Sequence, residues 1–322
     1  MLRFALRRAA SALLTLLGVL ALVFGLLEAA PGDPASMAAR SGTRAAAVSP
    51  GALAAFRSLY GLDRPAPERF GLWVLHAATL DFGLSLSDGR PVRLRIAGAL
   101  PATLALNLAA LLLALALGVP LGIGAALRPG GRLDRLSGVL GDALYATPAF
   151  VLGLVLLLVF SGGLRWTPLF SDGGGVRSYV LPVVTLAVST AALLARFVRA
   201  CVAGALADPA TAAGRARGED GGAAVRRALR RSAAPFAAMG AALVPSLVAG
   251  SVLVERVFSL PGAGGLLADA VFSRDVPTVL ALTLLSAGAV VAAAFLADLV
   301  SAALDPRARD AGARPLLEGK AA

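Results

Sequence analysis

Six long apolar runs alternate with polar segments along the chain, and each predicts a membrane-spanning helix. The first, Ala9 to Ala30, follows Arg3, Arg7 and Arg8. It approaches the roughly 20 residues that cross a bilayer and exceeds the about 7–15-residue core of a signal peptide. It therefore reads as a retained span, with cleavage after Ala30 as the weaker alternative. The others cover about Thr103 to Leu127, Leu136 to Phe160, Tyr179 to Leu194, Pro235 to Val254 and Pro277 to Leu304. No sequence repeat relates the two halves.

The segments between the runs give the organisation. Residues 1–30 form an N-terminal tail and first span. Residues 31–101 are too polar to span and too apolar to be featureless, which predicts a small external subdomain with short helices. Residues 102–308 form the core, interrupted by a basic loop at 196–234 and a short external segment from Glu255 to Val276. Residues 309–322 are a polar tail. Trp166 and Tyr179 suit the aromatic belt at a bilayer surface.

Charge orients this all-α, six-helix design. With the N-terminus inside, the internal segments hold 18 basic residues and the two short outer loops hold 4. The long first outer loop adds 8, but loops beyond about 60 residues weigh little in orientation. Both termini are therefore expected in the cytoplasm. Only 15% of residues are charged, against about 25% in soluble domains, so the net charge of +11 reads as membrane orientation rather than nucleic-acid binding.

Several chemistries are excluded. A P-loop needs a lysine that reaches the terminal phosphates, and the only lysine is Lys320, two residues from the end. Cys201 and His76 are the only residues of their types, so there is no intrachain disulfide and no multi-histidine metal centre. Cys201 reads as a bystander and His76 as local packing beside Trp73. No cofactor is expected. An intramembrane enzyme lacks support, since no span holds a histidine and no Gly-x-Ser-x-Gly elbow is present.

Within the spans, Gly118 and Gly122 form a small-xxx-small pair that lets helices approach, and Pro120 predicts a kink. Gly122-Ile123-Gly124 is read as part of that packing, not as a phosphate loop. Glu28, Asp142 and Asp298 fall within or near spans, where a mid-bilayer acid costs about 2.5–3.5 kcal/mol on insertion scales. Each lies within a few turns of a membrane face, close enough to reach water or a partner. That is a plainer reading than a proton relay. Asn107 reads as an interhelical hydrogen-bonding residue.

The loop 196–234 is the most informative segment. Asp208 suits a helix N-cap, Pro209 a first helical residue, Ala210 to Arg217 about two turns, and Gly218 a stop. A short helix held between spans suits insertion into a partner's groove. A bare positive-inside loop fits these residues equally well.

Motifs along nearly the whole chain then carry a resemblance. They are Ala30-Pro31-Gly32-Asp33-Pro34, Tyr60-Gly61-Leu62-Asp63-Arg64-Pro65, Asp81-Phe82-Gly83-Leu84-Ser85, Pro91-Val92, Pro101-Ala102-Thr103-Leu104 and Thr147-Pro148-Ala149-Phe150. Near the end stand Glu255-Arg256-Val257-Phe258-Ser259-Leu260-Pro261-Gly262-Ala263-Gly264 and Asp305-Pro306-Arg307. In order and spacing the chain resembles the permease subunit of bacterial ABC importers for dipeptides, oligopeptides and nickel. The resemblance implies a type I importer permease fold in the bacterial cytoplasmic membrane. The expected function is inward transport of a peptide-like solute or nickel chelate, by a non-catalytic subunit. The implied partners are a second, homologous permease, two ATP-binding subunits and an extracytoplasmic solute-binding protein, besides the bilayer and without nucleic acid. Asp208, Pro209, Ala210, Arg215, Ala216, Arg217 and Gly218 would dock on the ATPase. Glu255, Phe258, Pro261, Gly262 and Gly264 form the family's external motif.

Two departures stand out. Ala210 occupies a place where the family often has tyrosine. Glu219-Asp220-Gly221-Gly222 replaces helix-forming residues, which predicts a looser segment after Gly218, since interior glycines cost roughly 1 kcal/mol each against alanine. The competing reading is an ion-coupled secondary transporter, which would favour acids at the bilayer midplane and inverted repeats.

Overall fold

The structure is a computed structural model and describes residues 2–30, 51, 54, 57–58, 61–167, 175–218 and 220–304. The motif residues 31–34 and Tyr60, Glu219, Asp305 to Arg307 and the tail 309–322 lie outside the described residues.

The described chain forms α1 (Leu2–Ala29), α2 (Ala66–Ala77), α3 (Val92–Leu127), α4 (Arg132–Ala146) and α5 (Ala149–Leu156, continued by a π-helical stretch, Leu157–Gly163). Then come α6 (Val176–Ala207), α7 (Pro209–Ala216), α8 (Gly221–Arg231), α9 (Ala233–Val257), α10 (Ala263–Phe272) and α11 (Val276–Leu304). Five helices are long and apolar enough to cross a membrane: α1, α3, α6, α9 and α11. α4 and α5, bent by 100° at a short break, are together long and apolar enough for a sixth. The run Leu136 to Phe160 predicts one span, and the structure breaks it at Thr147-Pro148. Proline disfavours helical backbone in the residue before it. Thr147 accordingly sits at φ −89°, ψ 120°, and α5 restarts behind Pro148.

Pro101 and Pro120 behave differently, for α3 runs through both as one 36-residue helix. It starts at Val92, so the expected boundary between external segment and core at residues 101–102 falls inside a helix. At 1.5 Å per residue, α3 is about 54 Å and α6 about 48 Å long, well beyond a hydrocarbon core of about 30 Å. Both therefore project past the bilayer and carry the flanking loops.

The core seam lies between α3 and α6. Leu106, Ala110, Ala114, Gly118 and Gly122 recur every fourth residue and are buried along it. A Cβ on Gly118 would meet the Ala191 carbonyl oxygen at 2.8 Å, and one on Gly122 the Ala195 carbonyl oxygen at 2.5 Å. Both contacts advance by four residues, so the helices run parallel. Close approach between such backbones replaces the hydrophobic driving force that lipid cannot supply.

Ion pairs fix two ends of the bundle. Arg8 meets Asp298 at 3.2 Å at one end, while at the other Arg69 pairs with Glu28 and Arg274 donates to the Ala30 carbonyl at 3.1 Å. Thus α1 and α11 are antiparallel. We refer to these as the Arg8 end and the Glu28 end. At the Glu28 end, α2 and the turn residues 78–91 close over α3 and α11. Phe82, Val92, Ile96 and Leu282 form a small core there with Trp73 against it. Of the segment 31–101, the described residues hold one complete short helix, α2, ahead of the start of α3. Leu104, Leu108 and Leu112 form an exposed row on α3. Such a face suits lipid or another membrane helix.

Candidate functional site

The loop that joins α6 to α9 lies at the Arg8 end. Asp208 leaves the helical region at φ −61°, ψ 132°, which ends α6. Its carbonyl accepts the Thr211 amide at 2.9 Å and so begins α7. Its carboxylate accepts from Arg231 Nη1 at 3.0 Å. Residues 208 and 231 thus close the loop on itself. Within α7, Thr211 and Gly214 are buried three residues apart, while Ala213 and Arg217 face outward. The helix is therefore held by one face and offers the other. Gly218 stands at φ +85°, where a left-handed residue terminates a helix and glycine bears no Cβ penalty. Pro209 opens α7 as expected; the side chains of Ala210, Arg215 and Ala216 lie outside the described residues.

The segment after Gly218 continues into a helix from Gly221. Asp220 caps α8: its carbonyl accepts the Ala223 amide at 3.0 Å and its carboxylate the Gly222 amide at 3.2 Å. Gly221 and Gly222 thus sit in the first turn, where amides have no intrahelical partner in any case. Leu229 anchors α8 against Val198 and Val202 of α6, and Phe236 of α9 meets Phe197 edge-on at 5.6 Å. α7 and α8 are braced to two spans.

At the Glu28 end, Glu255 is 1% exposed. Its carboxylate accepts the Gly264 and Gly265 amides at 2.8 and 3.1 Å and the Thr103 hydroxyl at 2.6 Å. Thr103 accepts the Ala263 amide at 2.8 Å. Glu255 therefore caps the N-terminus of α10 and ties it to α3. A carboxylate suits this place, facing free amides and the positive end of the helix. A Cβ on Gly262 or Gly264 would collide with that carboxylate. Phe258 is buried beneath, its ring 3.1 Å from where a Cβ on Gly153 of α5 would lie. Pro261 is exposed at the turn. The motif from Glu255 to Gly264 is thus one folded knot joining α3, α5, α9 and α10.

Residues 118–310 match the family of binding-protein-dependent transport system inner membrane components, and residues 1–107 match the N-terminal region of such membrane components. The chain belongs to that family. It is the permease subunit of an ABC importer, a multi-pass protein of the bacterial inner membrane. The permease is 34% identical over 310 residues to the glutathione transport system permease protein GsiC of Salmonella paratyphi A, covering 96% of this chain and 99% of the relative. It is 31% identical over 311 residues to the dipeptide transport system permease protein DppB of Lactococcus lactis, covering 96% and 100%. GsiC of Escherichia coli is 33% identical over 310 residues, again covering 96% and 99%.

Three further acids of the permease, on α4 and α11, meet arginines. Asp142 meets Arg196, not the nearby Arg135, and Asp298 meets Arg8. Asp134 takes Arg199 through two nitrogens. Sequence reasoning missed Asp275, which is fully buried. It accepts from Ser85 Oγ at 2.5 Å, the Leu86 amide at 3.0 Å, Arg95 Nη1 at 2.9 Å and Thr278 Oγ1 at 2.7 Å. It staples the residue 81–91 turn to α11. Its signal was present, as an acid between Arg274 and Val276-Pro277, but nothing local names a partner 190 residues away. Two expectations are corrected. Asn107 makes no interhelical bond through its buried Oδ1 among the described residues. His76 is exposed rather than packed, and its carbonyl terminates α2 by accepting the Thr79 and Asp81 amides. Among the described residues, no group of three His, Cys, Asp or Glu side chains is placed to hold a metal.

Proposed function

We propose that the permease passes a peptide-class solute inward, driven through Asp208–Gly218 by two separate ATPase subunits. A second, related permease completes the pathway, and an external binding protein delivers the solute at the Glu28 end. Both termini and the α7 loop lie in the cytoplasm. The relatives' names, glutathione and dipeptide transport permeases, support the solute class. The basic residues of the internal segments support the orientation.

The observation that carries the coupling role is α7 itself. One face is anchored through Thr211 and Gly214, and the other is open with Arg217 exposed. The loop's ends are joined by Asp208 and Arg231. A push on the open face therefore moves α6 and α9 together. ATP-driven closure of the ATPase pair supplies that push.

The test is uptake of labelled dipeptide and glutathione by the complex in proteoliposomes, with its partner subunits and binding protein. ATP is expected to drive accumulation. Gly218→Asp and Arg217→Glu are expected to cut transport while leaving membrane insertion and partner-free stability intact. The permease alone is expected to move nothing. Uptake that survives ATP depletion and collapses with the proton gradient would instead establish ion coupling.

A further inference from the structure

The turn after α9, the start of α10 and the first turns of α3 enclose a cleft of about 510 Å³ at the Glu28 end. That size falls within the roughly 300–1,000 Å³ of small-ligand sites. Its wall carries Arg90, Arg95, Arg256 and Asp269 beside the buried Glu255. These charges differ in what they have left to offer. Glu255 is fully engaged by Thr103, Gly264 and Gly265. Arg95 is held by Asp275 and Ser85, with 15% of its side chain exposed. Arg256 and Asp269 form a pair whose side chains are 42% and 63% exposed. The Arg90 guanidinium is exposed and meets no carboxylate among the described residues. Among the described residues, the cleft thus holds one uncommitted cation and one ion pair open to water, both on a frame fixed by buried bonds.

We propose that this cleft recognises the two charged ends of a zwitterionic peptide as it enters the permease. Arg256 and Arg90 take the terminal carboxylate, and Asp269 takes the terminal ammonium. An exposed ion pair contributes little to stability, so opening it is a small loss. A zwitterion that enters the opened pair gives each partner a new opposite charge and leaves the net charge of the site unchanged. Guanidinium–carboxylate contact is favoured by its bidentate geometry. A solute with one end blocked leaves either Arg256 or Asp269 without compensation, and the site discriminates on that basis. Asp269 is presented by α10, whose start is clamped by Glu255, so the spacing between the two charges is set by the fold. The inference rests on the proposed peptide-class solute and on the Glu28 end facing outward.

The experiment uses the assembled transporter in nanodiscs without its binding protein, so that affinity reports on the membrane complex alone. Ala-Ala, N-acetyl-Ala-Ala and Ala-Ala-amide are the probes, followed by saturation-transfer NMR. Wild type is expected to bind Ala-Ala at least about tenfold more tightly than either blocked form, the scale on which loss of one close charge pair is read. Arg90→Gln with Arg256→Gln is expected to abolish the preference for a free carboxylate. Asp269→Asn is expected to abolish only the preference for a free ammonium. Melting temperatures near wild type confirm that the variants are folded. Unchanged affinities in variants that still import peptide overturn the cleft assignment. So does a variant that keeps its Ala-Ala affinity and loses only its response to the binding protein, which would make the cleft a protein-docking surface. A wild-type complex that imports no peptide at all would instead overturn the peptide-solute reading beneath it.

Discussion

The Glu255 carboxylate occupies the space that a side chain on Gly264 would need. Its Oε2 accepts the Gly264 amide at 2.8 Å, and a Cβ there would lie 2.9 Å from that oxygen and 2.5 Å from Val252 Cα. Gly264→Ala is expected to destabilise the permease by about 1–3 kcal/mol, the usual cost of overpacking. Glu255→Gln is expected to cost about 1–3 kcal/mol, because its single carbonyl oxygen can accept from the α10 amides or from the Thr103 hydroxyl but not from both sides. Thermal unfolding in detergent measures both. A Gly264→Ala variant that melts with wild type would refute the close contact.

The α3–α6 seam makes a sharper contrast. A Cβ on Gly122 would meet the Ala195 carbonyl at 2.5 Å and Val198 Cβ at 2.7 Å, whereas one on Gly138 of α4 meets nothing within 4 Å. Gly122→Ala is expected to lose about 1–3 kcal/mol by forcing the helices apart. Gly138→Ala is expected to be neutral or stabilising, by up to about 1 kcal/mol from helix propensity. Melting temperatures of the two variants, measured side by side, check the difference.

Asp275 holds a guanidinium and a turn at once. Asp275→Asn leaves Arg95 with only the more distant and more exposed Asp88, at 3.5 Å, as a charge partner. Removing one member of a buried pair costs about 3–5 kcal/mol, and the 15% exposure of Arg95 places this case at the low end. Limited proteolysis is expected to cut residues 81–91 faster in this variant. Adding Arg95→Gln is expected to restore part of the loss, since the carboxylate it then strands, Asp88, has 37% of its side chain exposed to water. A double variant no better than the single one would assign the effect to the Ser85 and Leu86 bonds.

The start of α8 gives a prediction of opposite sign. Gly221 meets nothing within 4 Å of an added Cβ. Gly221→Ala is expected to stabilise by about 0.4–1 kcal/mol through the unfolded state. Asp220→Ala, which removes the cap, is expected to cost about 1 kcal/mol. Hydrogen exchange of the α8 amides reads both changes locally.

Much of the site was legible in residue types. Asp208, Pro209 and Gly218 announced a short capped helix, because start and stop signals are local chemistry. The glycines at 221 and 222 were not legible in the same way. Their cost depends on whether they fall in a helix interior or its first turn, and Asp220 settles that only once α8 is placed. Asn107 and His76 were misread because a side chain's partner is not encoded in its neighbours.

The sequence alone determined the long apolar helices and the family. In hydrocarbon every backbone amide must be bonded within its own segment, so apolar length is enough to specify a helix. The bend at Pro148 was not read from the sequence, since Pro101 and Pro120 stand within an unbroken helix and a proline alone does not decide where a span breaks. Only the tertiary structure decided which arginine meets which acid, where α3 begins, and that Glu255 and Asp275 are consumed in holding the Glu28 end together. Those outcomes depend on contacts between residues far apart in the chain, and their energies exist only when the helices are side by side.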